Sequence, residues 1–529
     1  MTKKTNHTAN FLKTLPKNIF SGFVVSLVAL PLGLGLALAS EAPPIAGIVA
    51  AVVGGVVVSI LGGSNVTIAG PGNGLVIVLL GAITTLGNGD LYQGYLFTLA
   101  AIVLSGILML LLGFLKLGRL ADFFPASAIE GMLAAIGLGI LAKQFHIMIG
   151  HNNEHGSIMS LLAQIPNGIL NLYQDYHLEE LIAAGIGVVA LLIMIFYSKL
   201  RNKYFQLIPA PMWILILSIA FSYVFSNLGI PYPMSAEYLV NIPDNVVSSL
   251  AFPDFSIILQ KNFIIVVFAI TLIASIESLL SIKAVDKLDP LKRRSNVNKD
   301  IRALGLATVI SGFLGGLNVV TVIARSSVNV NNKGTNRSAN FFHAAFLVAF
   351  ILLFATELRK IPLPALAAIL VYTGYKLASP VNLKKVLSIG SEQLIIFLVT
   401  LLTTIATSLI TGIIVGILIT FIIHIIINKN IMLFIKNILK PNVLMFKEDG
   451  KYYVSVKNFS SFLNYTKLKT KLDQIPENEE AIIDFSLCDF VDHSVMENMS
   501  NYSESFTRKG GHFEVIGLDD SKSGSEHPF

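Results

Sequence analysis

Cysteine is almost missing from this chain: Cys488 stands alone in 529 residues. It cannot close an intrachain disulfide, and there is no cysteine cluster to hold a metal. Charge is scarce too. Asp, Glu, Lys and Arg make up 13% of the residues, against about 25% in soluble domains. With a mean hydropathy of +0.71, this excludes an ordinary solvated surface. The formal net charge of +6 is modest and no domain is basic, which leaves a nucleic-acid partner without a footprint. No nucleophile–base pair, metal cluster or phosphate-binding loop supports enzymatic chemistry. The polar, basic start, Met1–Lys17, is followed by an apolar stretch that holds Pro31 and a Gly-rich run and is not followed by a convincing A-x-A cleavage site. That stretch is expected to be a first span, not a removed signal peptide.

What the chain has in abundance is apolar runs. Segments fit to cross a bilayer fall at 17–40, 45–62, 72–87, 94–115, 127–144, 180–198, 211–228, 262–284, 301–315, 324–332, 339–356, 363–376, 392–409 and 411–428. They make about fourteen crossings, several of them short. With a cytoplasmic N-terminus the loops after even spans should be basic. They carry Lys116 and Arg119, then Lys199, Arg201 and Lys203, then Lys287, Lys292, Arg293, Arg294, Lys299 and Arg302, then Lys333 and Arg337, then Lys384 and Lys385. The long odd loops, 145–179 and 229–260, are nearly free of Lys and Arg. Count and orientation therefore agree. The expected organisation is a cytoplasmic segment 1–16, an all-α polytopic transmembrane domain 17–430, and a soluble domain 440–529. In the last, Lys451–Val456, Ala481–Phe485 and His512–Gly517 read as strands and Val495–Thr507 as an amphipathic helix, a small α/β domain. From Ser521 the chain looks like a polar terminus.

Two segments break the helical pattern. Asn65–Gly74 contains Pro71 and Gly70, Gly72 and Gly74; Asn318–Ser327 runs through Val319, Val320, Thr321, Val322 and Ile323 into Arg325. They fall in the third and tenth spans, the same place in two sets of seven, and an odd number per half implies inverted repeats. Interrupted segments at matching positions point to a transporter binding site. Extended backbone at membrane depth must be buried or line a cavity. Two opposed helix N-termini would aim N–H groups and positive dipole ends at one point, where an anion settles. Arg325 would add a full charge there. The bland readings are an arginine that snorkels and glycines that serve helix packing.

Glu277 is the acid of an otherwise nearly uncharged run, Phe263–Ile282, and a mid-membrane carboxylate is a functional hypothesis by default. It could carry a proton, bind sodium with Ser278 or Ser281, or pair with Arg325. Glu130 reads as an interfacial cap, Lys143 and His146 as a span end, Asn329 and Asn331 as groups satisfying backbone at a helix C-terminus, and Trp213 as an interfacial anchor. His424 has no assigned role.

Val28-Ala29-Leu30-Pro31, Ala42-Pro43-Pro44-Ile45-Ala46-Gly47, Leu61-Gly62-Gly63-Ser64 and Gly70-Pro71 resemble the first three spans of the sulfate permease family, bacterial relatives of the mammalian solute-carrier anion exchangers and prestin. Ile276-Glu277-Ser278-Leu279-Leu280, Gly315-Gly316-Leu317 and Ala324–Val330 match its second half. Ile482–Ser486 and Val491–Ser494 resemble a STAS domain. The resemblance implies fourteen spans as a 7+7 inverted repeat, divided into core and gate domains that move like an elevator, and a homodimer in the bacterial inner membrane with both termini cytoplasmic. It maps substrate binding to Gly72, Asn73, Gly74, Ile323, Ala324, Arg325 and Ser326, and the coupling acid to Glu277 with Ser281 four positions on. Leu32 stands where many members have Gln, and Asn318 where Pro is common.

The expected function is secondary active transport of a small anion (sulfate, bicarbonate, chloride or a dicarboxylate), coupled to protons or sodium, with no cofactor and no metal. The partners are the anion, the lipid bilayer and a second copy, and no nucleic acid. The rivals are an anion channel or exchanger on the same scaffold, a nucleobase permease, and a membrane sensor. Ser494, a phosphorylation position by resemblance, reads as an ordinary helix N-cap.

Overall fold

The computed structural model of the chain describes residues 2–118, 125–151, 156–174, 177–200, 202, 205–229, 232–243, 250–291, 293–428, 442–462, 464–476, 478–508 and 510–518. Arg119, Arg201, Lys203, Lys292 and the tail from Ser521 lie outside the described residues.

Helices occupy each apolar segment. In chain order they are α1 (Thr2–Ala39), α2 (Pro44–Leu61), α3 (Val76–Gly87), α4 (Leu91–Phe114), α5 (Ala126–Met148), α6 (Ile158–Gln174), α7 (Leu178–Phe196), α8 (Ala210–Asn227), α9 (Lys261–Leu288), α10 (Val297–Phe313), α11 (Ile323–Asn331), α12 (Ser338–Leu358), α13 (Leu363–Leu377), α14 (Pro380–Ile389), α15 (Ser391–Ala406) and α16 (Leu409–Asn428). Among the described residues eight are long and apolar enough to cross a membrane: α1, α2, α4, α5, α7, α9, α12 and α16. Their outer faces stay apolar, with Leu352 68% and Leu353 75% exposed on α12 and Ile426 66% exposed on α16. Patches of this kind are rare on soluble surfaces and are at home against acyl chains. α6 and α14 lie in stretches read from sequence as loops. Both are amphipathic, with polar residues spaced through them, so hydropathy alone passes over them.

By its internal contacts the chain forms two units, Met1–Gly118 with Ile136–Leu377, and Arg119–Ala135 with Ala378–Phe529. In the first, α1 and α2 cross where Gly33 meets Gly47; a Cβ on Gly47 would strike the Gly33 carbonyl. Small residues at such crossings let helix backbones touch, which is how packing is gained where water gives no hydrophobic push.

The second unit carries a four-stranded sheet, β3 (Asn442–Glu448), β4 (Lys451–Ser460), β5 (Glu480–Val491) and β6 (His512–Ile516), in that spatial order. (Strands β1, Ala69–Gly70, and β2, Val320–Thr321, belong to the first unit.) β3 and β4 form an antiparallel hairpin with Glu448 opposite Lys451. Its loop is Asp449-Gly450, both at positive φ, the Asp-Gly chemistry that a two-residue turn requires. β4–β5 and β5–β6 are parallel, so they need crossovers. These contain α17 (Tyr465–Leu472) and α18 (His493–Thr507). Leu468, Leu472, Val495, Met499 and Phe506 from the helices pack on Val454, Val456 and Ile483 of the sheet. β3 and α17 were not expected from the sequence; the other elements were. α18 starts two residues earlier than expected, and its N-cap is Asp492, whose carboxylate accepts from the Ser494 N–H. Ser494 is therefore not the cap. The Asp492 side chain can accept the orphan N–H because it sits where the strand's extended backbone turns into the helix.

Candidate functional site

Two helix beginnings meet inside the first unit. Strand β1 (Ala69–Gly70) pairs antiparallel with β2 (Val320–Thr321), Ala69 opposite Thr321 and Gly70 opposite Val320. The Val322 N–H donates to Ile68 O at 3.0 Å. Beyond β1, Pro71 and Gly72 lead into a 3-10 turn over Asn73–Leu75 and then α3; beyond β2, Val322 leads straight into α11. The reason is local. Pro71 has no N–H and disfavours helix at Gly70, and Val319–Ile323 is almost wholly β-branched.

Extended backbone in an apolar interior must find partners, and the surrounding helices supply them. Ser326 Oγ accepts from the Ile68 N–H at 2.9 Å and donates to Val322 O at 2.7 Å. Thr308 Oγ1 accepts from the Val319 N–H at 3.1 Å. Asn340 Oδ1 accepts from the Ala69 N–H at 3.3 Å. Asn329 Nδ2 donates to Val66 O at 2.7 Å, and its Oδ1 accepts from Ser21 Oγ. Asn329 thus clasps three segments and does more than close its own helix.

The sequence-predicted residues divide by position. Ile323 and Ala324 are exposed at the tip of α11, which no side chain caps. Gly72 and Gly74 are buried and Asn73 is half-buried at the other tip. Ser326 is buried and committed to the strand pair. Arg325 is not at the exposed tip. It is fully buried, and its guanidinium lies where a Cβ of Gly70 would point, next to Ala51 of α2. Its three nitrogens find no hydrogen-bond partner among the described residues. Its charge reaches the tips as a field through low-dielectric surroundings, where such a field is strong.

Glu277 of α9 lies against Gly72 and Gly74 at the α3 tip. Its Oε1 accepts from the Gly74 N–H at 3.3 Å. A Cβ on Gly72 or Gly74 would sit 2.6 or 2.7 Å from its Oε2, so these two glycines are what lets the carboxylate approach. Ser278 Oγ accepts from the Thr321 N–H at 3.4 Å, and Ser281 is buried one turn further along α9. The acid is thus placed at one helix tip while its neighbour braces the strand leading to the other.

Sequence reasoning passed over Thr308, Asn340 and His343. Asn340 and His343 are polar, buried and three residues apart on apolar α12, and that same-face spacing was the available signal. The remaining singled-out residues have ordinary partners. Glu130 pairs with Lys385 at 3.6 Å instead of capping a helix, Lys143 pairs with Glu41, and Trp213 Nε1 donates to Phe205 O at 3.1 Å. His424 Nε2 lies 3.7 Å from Asp492 Oδ1, with its ring 4.9 Å from that of Phe490.

A family model described as Sulfate permease family matches residues 15–400. A putative sulfate transporter, YvdB of Bacillus subtilis, is 25% identical over 378 residues, 69% of this chain and 65% of the relative. The bicarbonate transporter BicA of Picosynechococcus is 24% identical over 361 residues, 68% of this chain and 61% of the relative. These two matches thus span less than two thirds of the relatives' length. Among solved structures, the transmembrane domain of a cyanobacterial BicA superposes with a TM-score of 0.64 at 22% identity, over 75% of this chain and 97% of that one. SLC26A9 superposes with a TM-score of 0.68 at 15% identity, over 98% and 90%. At these identities the superpositions speak for the fold.

Proposed function

The chain belongs to the sulfate permease family, multi-pass membrane transporters and not enzymes, and from that premise we propose that it moves a small anion across the membrane by secondary active transport. The substrate class is sulfate, bicarbonate, chloride or a small dicarboxylate. The observation that carries this reading is the meeting of the α3 and α11 N-termini at the β1–β2 pair, one tip uncapped and both backed by the buried Arg325 guanidinium. Unpaired N–H groups and positive dipole ends favour an anion at that point. Gly72, Asn73, Gly74, Ile323 and Ala324 would line the pocket, Ser326 would hold the strand pair in register, and Arg325 would supply positive potential from behind.

Glu277 would couple transport to a cation gradient, as a proton carrier or, with Ser281, as a sodium ligand. Its bond to the Gly74 N–H at 3.3 Å ties its charge state to the same helix tip that would hold the anion. A passive channel gains nothing from that acid, and a neutral nucleobase gains nothing from Arg325. The positive-inside pattern supports cytoplasmic termini and fourteen spans in two inverted sevens. An elevator movement, a homodimer, the bacterial inner membrane and a STAS-like role for residues 440–529 belong to the same reading.

The test is uptake of labelled sulfate, bicarbonate, chloride and succinate into proteoliposomes, with and without imposed proton or sodium gradients. Concentrative uptake of at least one anion under a gradient is expected. Uptake of none of them, or only of an uncharged solute, would refute the proposal.

A further inference from the structure

We infer that the chain binds a divalent d-block metal ion between His146 and His151, away from the helix tips. α5 ends in a Schellman motif. Gly150 stands at φ +94°, a conformation that glycine alone adopts freely. The Gly150 N–H donates to Ile147 O at 3.1 Å and the His151 N–H to His146 O at 2.9 Å. This motif lays the residue after the glycine beside one in the last helical turn, and the pair is commonly apolar. Here both members are histidine.

The tautomers follow from the neighbours. His146 is buried, and its Nε2 lies 2.9 Å from Leu161 O of α6. A carbonyl only accepts, so the proton is on Nε2 and Nδ1 keeps its lone pair. His151 Nε2 faces Glu180 Oε2 of α7 at 3.8 Å, which draws its proton to the same nitrogen. Both Nδ1 atoms are buried, and neither has a hydrogen-bond partner among the described residues. They face one spot. A Cβ built on Gly168 of α6 would lie 3.5 Å from His146 Nδ1, 3.4 Å from His151 Nδ1 and 3.3 Å from Ile149 Cδ1, so the missing side chain leaves a notch bordered by both Nδ1 atoms and one methyl group.

Metal-ligating imidazoles are oriented in this way, the far nitrogen donating to a carbonyl or carboxylate that fixes ring and tautomer. Imidazole donors select Zn2+, Cu2+ or Ni2+ over Ca2+ and Mg2+, which demand oxygen. Among the described residues no group of three or more His, Cys, Asp and Glu converges, so water completes the coordination. The ion would tie α5, α6 and α7 together.

The experiment is a Zn2+ titration of the full-length, chelator-stripped protein by calorimetry, with Cu2+ electron paramagnetic resonance to count nitrogen ligands. One Zn2+ per chain and two equatorial nitrogens on Cu2+ are expected. His151→Ala should weaken binding at least tenfold. Gly168→Ala should do so as well, since it keeps both imidazoles and fills the notch, with only the Ile149 Cδ1 methyl, 3.3 Å away, having to give slightly; it decides the matter where the histidine variant fails to fold. Glu180→Gln, which loosens the orienting partner, should weaken it about tenfold. Absence of Zn2+ binding in the parent protein, or unchanged binding in Gly168→Ala, would overturn the inference.

Discussion

Replacing Gly70 by alanine adds one methyl group where the Arg325 guanidinium leaves no room for it. The new Cβ would lie closer than 3.0 Å to Arg325 Nη1 and 3.4 Å from the Ala51 Cα. The guanidinium is fully buried, so it cannot swing into solvent as an exposed arginine would. Either it retreats toward α2 or the Gly70–Val320 pairing opens. Overpacking of this kind costs about 1–3 kcal/mol, and at 1.4 kcal/mol per decade that is roughly a 5- to 150-fold loss wherever the strained geometry is needed. Because the displaced group supplies the positive potential behind the α3 and α11 tips, the loss should fall on anion affinity. The assay is the concentration dependence of anion uptake into proteoliposomes, beside thermal unfolding in detergent to show that the variant is folded. KM should rise about tenfold or more, with a small change in Tm. Gly74→Ala is the control of equal size: its clash is with the mobile end of Glu277, at 2.7 Å, so it should disturb coupling more than affinity. A Gly70→Ala protein with parental KM and Vmax would refute the reasoning.

The other predictions concern charge. Glu277→Gln should abolish uptake driven by an imposed proton or sodium gradient while leaving anion counterflow; gradient-driven uptake at the parental rate would remove the acid from coupling. Asp300→Ala should cost about 3 kcal/mol or more, read as lost Tm or expression, because buried Asp300 accepts from the Gly63 N–H at 2.7 Å, the Ser64 N–H at 3.1 Å and the Ser64 hydroxyl; a variant as stable as the parent would show those donors to be hydrated. Burial pushes the Asp492 carboxyl up from 3.8 to about 6, against the lowering effect of the Ser494 and Phe462 N–H donors. A carboxyl whose folded pKa is raised is most stabilising while protonated, so this contribution is complete below pH 4, is lost as pH rises through about 6, and amounts to about 3 kcal/mol over that window. Asp492→Asn keeps an acceptor oxygen and escapes that loss, so its Tm should gain on the parent's between pH 4 and 7; a gap that is constant with pH would contradict this.

Most helices were legible because a bilayer demands long apolar runs, and the run itself carries the information. The two interruptions were legible for an equally local reason: Pro71 and the β-branched run from Val319 refuse the helix wherever they are placed. A lone carboxylate such as Glu277 announces itself by its cost. The amphipathic helices α6 and α14 and the short α17 were not legible, since length and hydropathy treat them as loop.

Local pattern could not say where side chains at a helix tip point. Arg325 and Ile323 are two residues apart, yet one is fully buried and the other 42% exposed. That outcome depends on Gly70, some 250 residues away in the chain, having no side chain. Ser494 gave way to Asp492 as the cap because β5 runs on to Val491 and the helix starts at His493, two residues earlier than the sequence suggested, and His146 and His151 share a notch only because α6 presents a glycine to them. The sequence by itself determined which segments are helical, where the backbone must break and which charge stands in an apolar run, because each follows from residues next to one another. Tertiary structure decided what faces what, because close packing lets a single absent methyl group, contributed by a distant segment, set the direction of a charge.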